Sequence, residues 1–296
     1  MAEQQDWGAQ RWAIEISNLW RMVSGDGRFP VDVESIAPDL SAARFATDPI
    51  RAIKGGSLPG FEGALYPLGD PPTGWAIIYN NSGVSPGRRR FTISHEFGHF
   101  LLHRKKLPKG VECNERVVSQ RGGKGIEKEA DEFAAGLLMP LDDFRARIGS
   151  DDKPSLEELG AAAERYGVSL TAGALRWLEY TNRRAVFVVS RDGGALWARS
   201  SEAALRSGRF YRTASETFML PETSMAGRGC FDADGKAAGV LPPGVWFPEE
   251  VEETSLFARQ YDLTLTLLHL PKEVTGPHWF ADADDEPDTF DKMSAP

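Results

Sequence analysis

The chain has 296 residues, of which 41% are hydrophobic and 26% charged, a length for about two domains and a composition that excludes general disorder. A formal charge of −9 excludes a surface built to attract phosphate backbones without specificity. Two cysteines, Cys113 and Cys230, exclude a disulfide framework, and no apolar run reaches the roughly 18 residues that span a bilayer.

The opening MAEQQDWGAQRW lacks a basic stretch leading into an apolar core, so no secretory signal is expected, and with so few cysteines the sequence predicts a cytoplasmic protein. Trp12, Ile16, Leu19 and Val23 recur at helical spacing and predict an amphipathic helix ended by Gly25 and Gly27. Pro30 is expected to open a short second helix through Ile36. Between Ala43 and Asn81 the runs Phe61 to Tyr66 and Trp75 to Tyr79, separated by PLGDPPTG, predict two strands and a loop. Helices follow over about 89–105 and 126–139, joined by a polar, Gly- and Lys-rich stretch, and Pro140 stops the second.

Ser155 and Glu158 form a capping-box pattern for a further helix. Tyr166-Gly167-Val168-Ser169 breaks it before another helical run to Tyr180. Ala185 to Ser190 and Ala195 to Arg199 flank Arg191-Asp192-Gly193-Gly194, a hairpin signal, and Thr254 to Phe257 and Leu263 to Leu270 read as strands. The expected organisation is α+β: a first domain over 1–149, a helical segment over 150–182, a second α+β domain over 183–280, and an acidic mobile tail over 281–296.

The chemistry concentrates in Ser94-His95-Glu96-Phe97-Gly98-His99. Residues four apart share a helix face, so His95 and His99 can present their imidazoles to one metal ion, and zinc suits such ligands. Glu96, rotated about 100° from His95, can reach the metal's water without being a ligand. A third histidine at the spacing HExxHxxGxxH is absent, because Leu102 and Lys105 occupy those positions. The remaining candidate is a carboxylate on the next helix. Glu127 and Asp131 share a face with Ala130, Ala134 and Leu138, whereas Glu129 and Glu132 lie off that line and are expected on a solvated face. Glu127 is then the third ligand, and Asp131 accepts the free ring N–H of a ligating histidine. His103 is expected to pack or cap. The strand around Trp75 to Asn80 is expected to be an edge to which an extended substrate adds. No residue identifies itself as the oxyanion stabiliser, and nothing in the sequence sets the oligomeric state.

FTISHEFGHFLLH followed by IEKEADEFAAGLLMP resembles the ImmA/IrrE family of zinc metallopeptidases, over about residues 10–180. The first motif matches at His95, Glu96, Gly98, His99, Leu101, Leu102 and His103; the second at Glu127, Ala130, Phe133, Ala134, Leu138, Met139 and Pro140. The resemblance implies a zincin-like, gluzincin-type domain with two active-site helices, a small sheet and a zinc ion on His95, His99 and Glu127. Asp131 departs from the Asn that members commonly carry. The implied activity is zinc-dependent, site-specific cleavage of a regulatory protein, commonly a helix-turn-helix repressor, in a stress-response or mobile-element switch, with Glu96 handling the proton. Some relatives carry a GAF-like sensor domain after the peptidase, with which the 183–280 strands are compatible. The helical pair at 155–180 is helix-turn-helix-like, but Glu157, Glu158, Glu164 and Glu179 against Arg165 and Arg176 argue against direct DNA contact. The alternative is a regulator without proteolysis, acting through DNA or a partner, whose zinc is a structural staple with Cys113 as the nearby fourth candidate.

Overall fold

The computed structural model describes residues 7–57, 61–82, 84–113, 124–213 and 218–272; the expected acidic tail lies outside the described residues. The described residues divide into two units, one of residues up to Asp143 with Arg165–Val168, the other Phe144–Glu164 with residues 169–272.

In the first unit, α1 (Ala9–Ser24) buries Ala9, Trp12, Ala13 and Ile16. The expected apolar stripe does not hold to its end, since Leu19 is partly exposed and Val23 is 79% exposed. Close approach to a neighbour occurs at Ala13, where a Cβ on Gly136 would lie 2.9 Å from the Ala13 Cβ. Val23 is ten residues further along, roughly 15 Å beyond that contact. The second helix, α2 (Val33–Arg44), begins after Pro30 and not at it, because the Asp32 carboxylate caps it by accepting from the Ser35 amide at 3.3 Å. It also runs past Ile36, through Pro38.

The strands of this unit are β1 (Ile50–Gly56), β2 (Gly63–Leu68), β3 (Gly74–Asn80) and β4 (Val111–Cys113), hydrogen-bonded in the order β1-β3-β2-β4. β1 pairs parallel to β3, and the other pairs are antiparallel. The expected substrate edge at Trp75 to Asn80 is therefore incorrect. β3 is interior, its hydrogen-bonding groups used by β1 on one side and β2 on the other; the edges are β1 and β4. Ser85 caps α3 (Pro86–His103), with Pro86 in its first turn, where a missing N–H costs nothing. α3 packs on β2 and β3 and against α4 (Lys124–Leu138). Gly98 permits that last contact, because a Cβ there would lie 3.0 Å from Phe133 Cδ1 and 3.2 Å from the Ala130 Cα.

α5 (Leu141–Arg147) and α6 (Leu156–Tyr166) both span the division between units. The capping box at the start of α6 is made in both directions, Glu158 N–H to Ser155 Oγ at 3.2 Å and Ser155 N–H to Glu158 Oε2 at 2.8 Å. In α7 (Leu170–Leu178), capped by Ser169, every residue from Ala172 to Leu178 is buried. α7 is a packing helix, its Gly173 set against Leu159 and Ala163 of α6.

The second unit's sheet is antiparallel throughout: β5 (Ala185–Arg191), β6 (Gly194–Ser200), β7 (Phe218–Met219), β8 (Lys236–Leu241), β9 (Val251–Ala258) and β10 (Leu263–His269), in the order β7-β6-β5-β10-β9-β8. Asp192 and Gly193 turn the first hairpin with φ of +48° and +76°, as a two-residue hairpin loop requires. Short helices α8 (Glu202–Arg206) and α9 (Met225–Arg228) join the strands. Val186, Val188, Leu241, Trp246, Phe247 and Leu268 anchor the core of this unit. Among the described residues, no helix is long and apolar enough to cross a membrane.

Candidate metal centre

The contact of α3 with α4 brings the chemistry-bearing residues together. His95 and His99 lie one turn apart on α3, Glu127 and Asp131 one turn apart on α4, and all four are buried. The expected face of α4 is the one turned inward, with Ala130, Ala134 and Leu138 buried beside the two acids. His95 Nε2 is 3.1 Å from Glu127 Oε2 and 3.0 Å from His99 Nε2, and His99 Nε2 is 3.5 Å from Glu127 Oε2. One ligand-type atom from each of His95, His99 and Glu127 lies within 4.8 Å of the others.

The donor set fits a divalent cation. Two imidazole nitrogens and one carboxylate oxygen converge on one point, and both nitrogens belong to rings that have a second nitrogen for the proton. The electrostatics agree. Burial pushes the Glu127 carboxyl up, but hydrogen bonds and charge interactions with His95 and His99 outweigh it and hold the group well below the usual carboxylate range. Burial, opposed by Glu127, pulls the His99 ring down to about 4. An ionised carboxylate and a neutral imidazole are the states a metal requires of its ligands.

Around these atoms, His95 Nδ1 is 2.8 Å from Asp131 Oδ1, as expected for a carboxylate that fixes a ring's orientation. Glu96 is fully buried. It lies against β2 at Gly63, where a Cβ would fall 2.6 Å from Glu96 Oε1 and 2.6 Å from Thr92 Cγ2. Glycine at 63 thus leaves the space in which the Glu96 carboxylate sits. On the same strand, Tyr66 donates its hydroxyl to Glu112 of β4. That hydrogen bond, together with burial and the charges of Glu112 and Glu96, pushes the phenol up to about 12.

Two residues sequence reasoning undervalued belong to this centre. His103 is fully buried, its Nδ1 3.0 Å from His99 Nδ1. Glu129 is not merely part of a solvated face: its Oε2 is 2.7 Å from His103 Nε2, although the side chain is half exposed. Glu132 is exposed, as expected. The four-residue step from His99 to His103 was a visible signal; nothing in spacing alone paired His103 with Glu129.

Residues 59–178 match the IrrE N-terminal-like domain family, and this stretch holds α3, α4 and the whole cluster just described. Among curated proteins, the chain is 29% identical over 167 residues to the radiation response metalloprotease IrrE of Deinococcus radiodurans, covering 52% of this chain and 48% of that protein. It is 32% identical over 117 residues to the protein of the same name from Deinococcus deserti, covering 38% and 40% respectively. The matches thus span about half or less of the curated relatives' length. Through these matches, and with both motifs seated on the facing helices, residues 59–178 carry a domain of the IrrE N-terminal-like family, which supports the resemblance to ImmA/IrrE proteins.

Proposed function

We propose that this protein is a zinc-dependent endopeptidase whose metal is held by His95, His99 and Glu127. The observation that carries the reading is the convergence of those three ligand atoms on one buried point between two helices. A zinc ion there supplies Lewis-acid chemistry, polarising the scissile carbonyl and lowering the pKa of water. Glu96 takes the proton of the attacking water on its carboxylate and returns it to the leaving nitrogen. Asp131 holds the His95 ring by accepting from Nδ1, which leaves Nε2 unprotonated for the metal. The buried setting excludes bulk water and strengthens each of these charge interactions.

The substrate in this reading is a cytoplasmic regulatory protein, with a helix-turn-helix repressor as the first candidate. The family resemblance supports it, as does an acidic chain suited to steering a basic protein partner. The two curated relatives carry names that pair radiation response with metalloprotease, in line with a stress-response switch. The second unit, with its antiparallel sheet, fits a sensor role, in which a bound molecule or partner governs the peptidase.

Incubation of the zinc-loaded protein with repressors encoded beside its gene, with Glu96→Gln as control, tests the reading. The wild type should cut one of them at a single site. Glu96→Gln should bind zinc and leave the substrate intact, since it keeps the ligands and loses the proton acceptor. Cleavage by Glu96→Gln at the wild-type rate overturns the role of Glu96, and absence of zinc from the purified wild type overturns the metal assignment.

A further inference from the structure

We propose that His103 and Glu129 are positioning residues, forming a relay that selects the tautomer in which His99 can bind a metal. The inference rests on the assignment of His99 as a ligand and follows from proton accounting along two rings and one carboxylate. His99 points Nε2 into the centre, 3.0 Å from His95 Nε2. For that nitrogen to offer its lone pair, the ring proton of His99 must sit on Nδ1.

His99 Nδ1 is 3.0 Å from His103 Nδ1, a distance at which two ring nitrogens share one proton. With the proton on His99, His103 Nδ1 is the acceptor and carries its own proton on Nε2. That nitrogen is 2.7 Å from Glu129 Oε2, and an ionised carboxylate accepts only. Each proton then has one donor and one acceptor: His99 Nδ1–H to His103 Nδ1, and His103 Nε2–H to Glu129. In the reverse arrangement His103 Nδ1–H donates to His99, the His99 proton moves to Nε2, and the metal face is blocked. Glu129, lacking a proton to give, favours the productive direction.

The two ligand histidines therefore have unlike supports. Asp131 holds His95 directly and is buried, whereas the support of His99 passes through a second ring and ends on a half-exposed carboxylate of α4. His103 and His99 share a face of α3 one turn apart, and the buried position of His103 keeps water from replacing it as acceptor.

The test combines histidine tautomers, read by long-range nitrogen–proton NMR on the zinc-loaded protein, with zinc affinity from competition against a chromophoric chelator. The expected tautomers are Nδ1–H for His99 and Nε2–H for His103; Nδ1–H on His103 overturns the relay whatever the metal does. His103→Leu should weaken zinc binding about 10- to 100-fold and change the visible spectrum of the cobalt-substituted protein. His103→Gln, whose carbonyl can accept from His99, should recover most of the loss. Glu129→Ala, at a half-exposed position that folding tolerates, should weaken zinc binding several-fold, which keeps the test sound if His103→Leu does not fold. Wild-type affinity and spectrum in folded His103→Leu, or wild-type affinity in Glu129→Ala, overturns the proposal. A wild type that binds no zinc sinks the metal assignment, and the His103 tautomer read on that protein still decides the bond to Glu129.

Discussion

Two buried glutamates, one in each unit, set a structural group beside a chemical one. Glu253 on β9 is fully buried and accepts from the amides of Met225 and Ala226 at 3.1 and 2.7 Å, from Trp246 Nε1 at 2.7 Å and from Ser255 Oγ at 2.9 Å. Two donors meet each oxygen, and three of the four are N–H groups that cannot become acceptors. Glu127 on α4 is also buried, but His95 and His99 present ring nitrogens to it, and those nitrogens lie 3.0 Å from one another. A ring nitrogen carries either a proton or a lone pair. The carboxylate in the second unit is satisfied by fixed protons; the one in the first faces atoms free to change role. Burial of an acid does not mark a site, whereas the kind of atom facing it does.

Exchanging each acid for its amide is the strongest way to break this comparison. Glu127→Gln should lower zinc affinity by roughly a hundredfold or more, since replacing even an outer-shell partner typically costs 10- to 100-fold. The metal-free variant should lose little stability, because the ring nitrogens facing it can take either role and so pair with the oxygen or the NH2 group of the amide. Glu253→Gln should do the reverse. It turns an NH2 group towards the Met225 amide and the Trp246 indole and should cost about 3 kcal/mol or more in unfolding free energy, with zinc affinity unchanged. Chelator competition and urea unfolding of the metal-free proteins separate the two. A Glu253→Gln variant that binds zinc weakly, or a Glu127→Gln variant that loses several kcal/mol without metal, breaks the contrast.

The sequence carried these two glutamates unequally. Glu127 lies at a helical step from Asp131 and follows a helix with histidines four apart, so local periodicity alone set both acids on one face. Glu253 stands in a strand of alternating polar and apolar residues, and its four donors come from segments 2 to 28 residues away. The same limit hid Glu129. The facing rule sets it off the ligand line, and the reach of one side chain to His103 of another helix decides its role. β1 was missed because Ile50–Gly56 has no clean alternation, and its discovery changed β3 from an edge to an interior strand. Helical spacing records which residues share a face but not how far along the neighbour extends, and so Val23 was expected in a core it does not reach.

A pH series sharpens the comparison from the side of the second unit. His269 donates Nε2–H to the Pro154 carbonyl at 2.9 Å, while its buried Nδ1 has no partner among the described residues. Burial chiefly, with Lys153 and Arg183 also disfavouring the charged ring and Pro154 and Glu252 opposing, lowers its pKa to about 4. The unfolded chain takes up this proton near the ordinary value of about 6.5 and the folded one only near 4. Stability from this group is therefore complete above about 6.5 and falls as the pH drops towards 4, by up to about 3 kcal/mol. His269→Gln should flatten that part of the curve in urea unfolding between pH 4 and 7; an unchanged difference between pH 7 and pH 4.5 removes His269 as its source.

A smaller effect is expected at Gly63. The Cβ of Gly63→Ala would fall 2.6 Å from Glu96 Oε1 and from Thr92 Cγ2, and both neighbours are side-chain ends that can swing away. Folding and zinc content should survive, while displacement of the carboxylate by about 1 Å should lower kcat on the order of a hundredfold with little change in KM. Full activity with zinc bound would show that Glu96 does not work from the position beside β2.

The smallest expected change separates an incidental buried polar group from the centre next to it. Ser94 precedes His95 on α3, is fully buried, and its hydroxyl has no hydrogen-bond partner among the described residues. If adjacency to the ligands gave a buried polar atom its importance, removing this hydroxyl would disturb the metal. By the contrast between Glu127 and Glu253, it should not, because no atom of changeable role faces it. Ser94→Ala removes an unpaired hydroxyl from a dry interior and substitutes a better helix former, so it should be neutral or stabilise the fold by up to about 1 kcal/mol. Zinc affinity should stay within about twofold of the wild type, less than a tenfold step of 1.4 kcal/mol. A tenfold loss of zinc in Ser94→Ala would place this hydroxyl among the groups that support His95 and would extend the centre by one residue along α3.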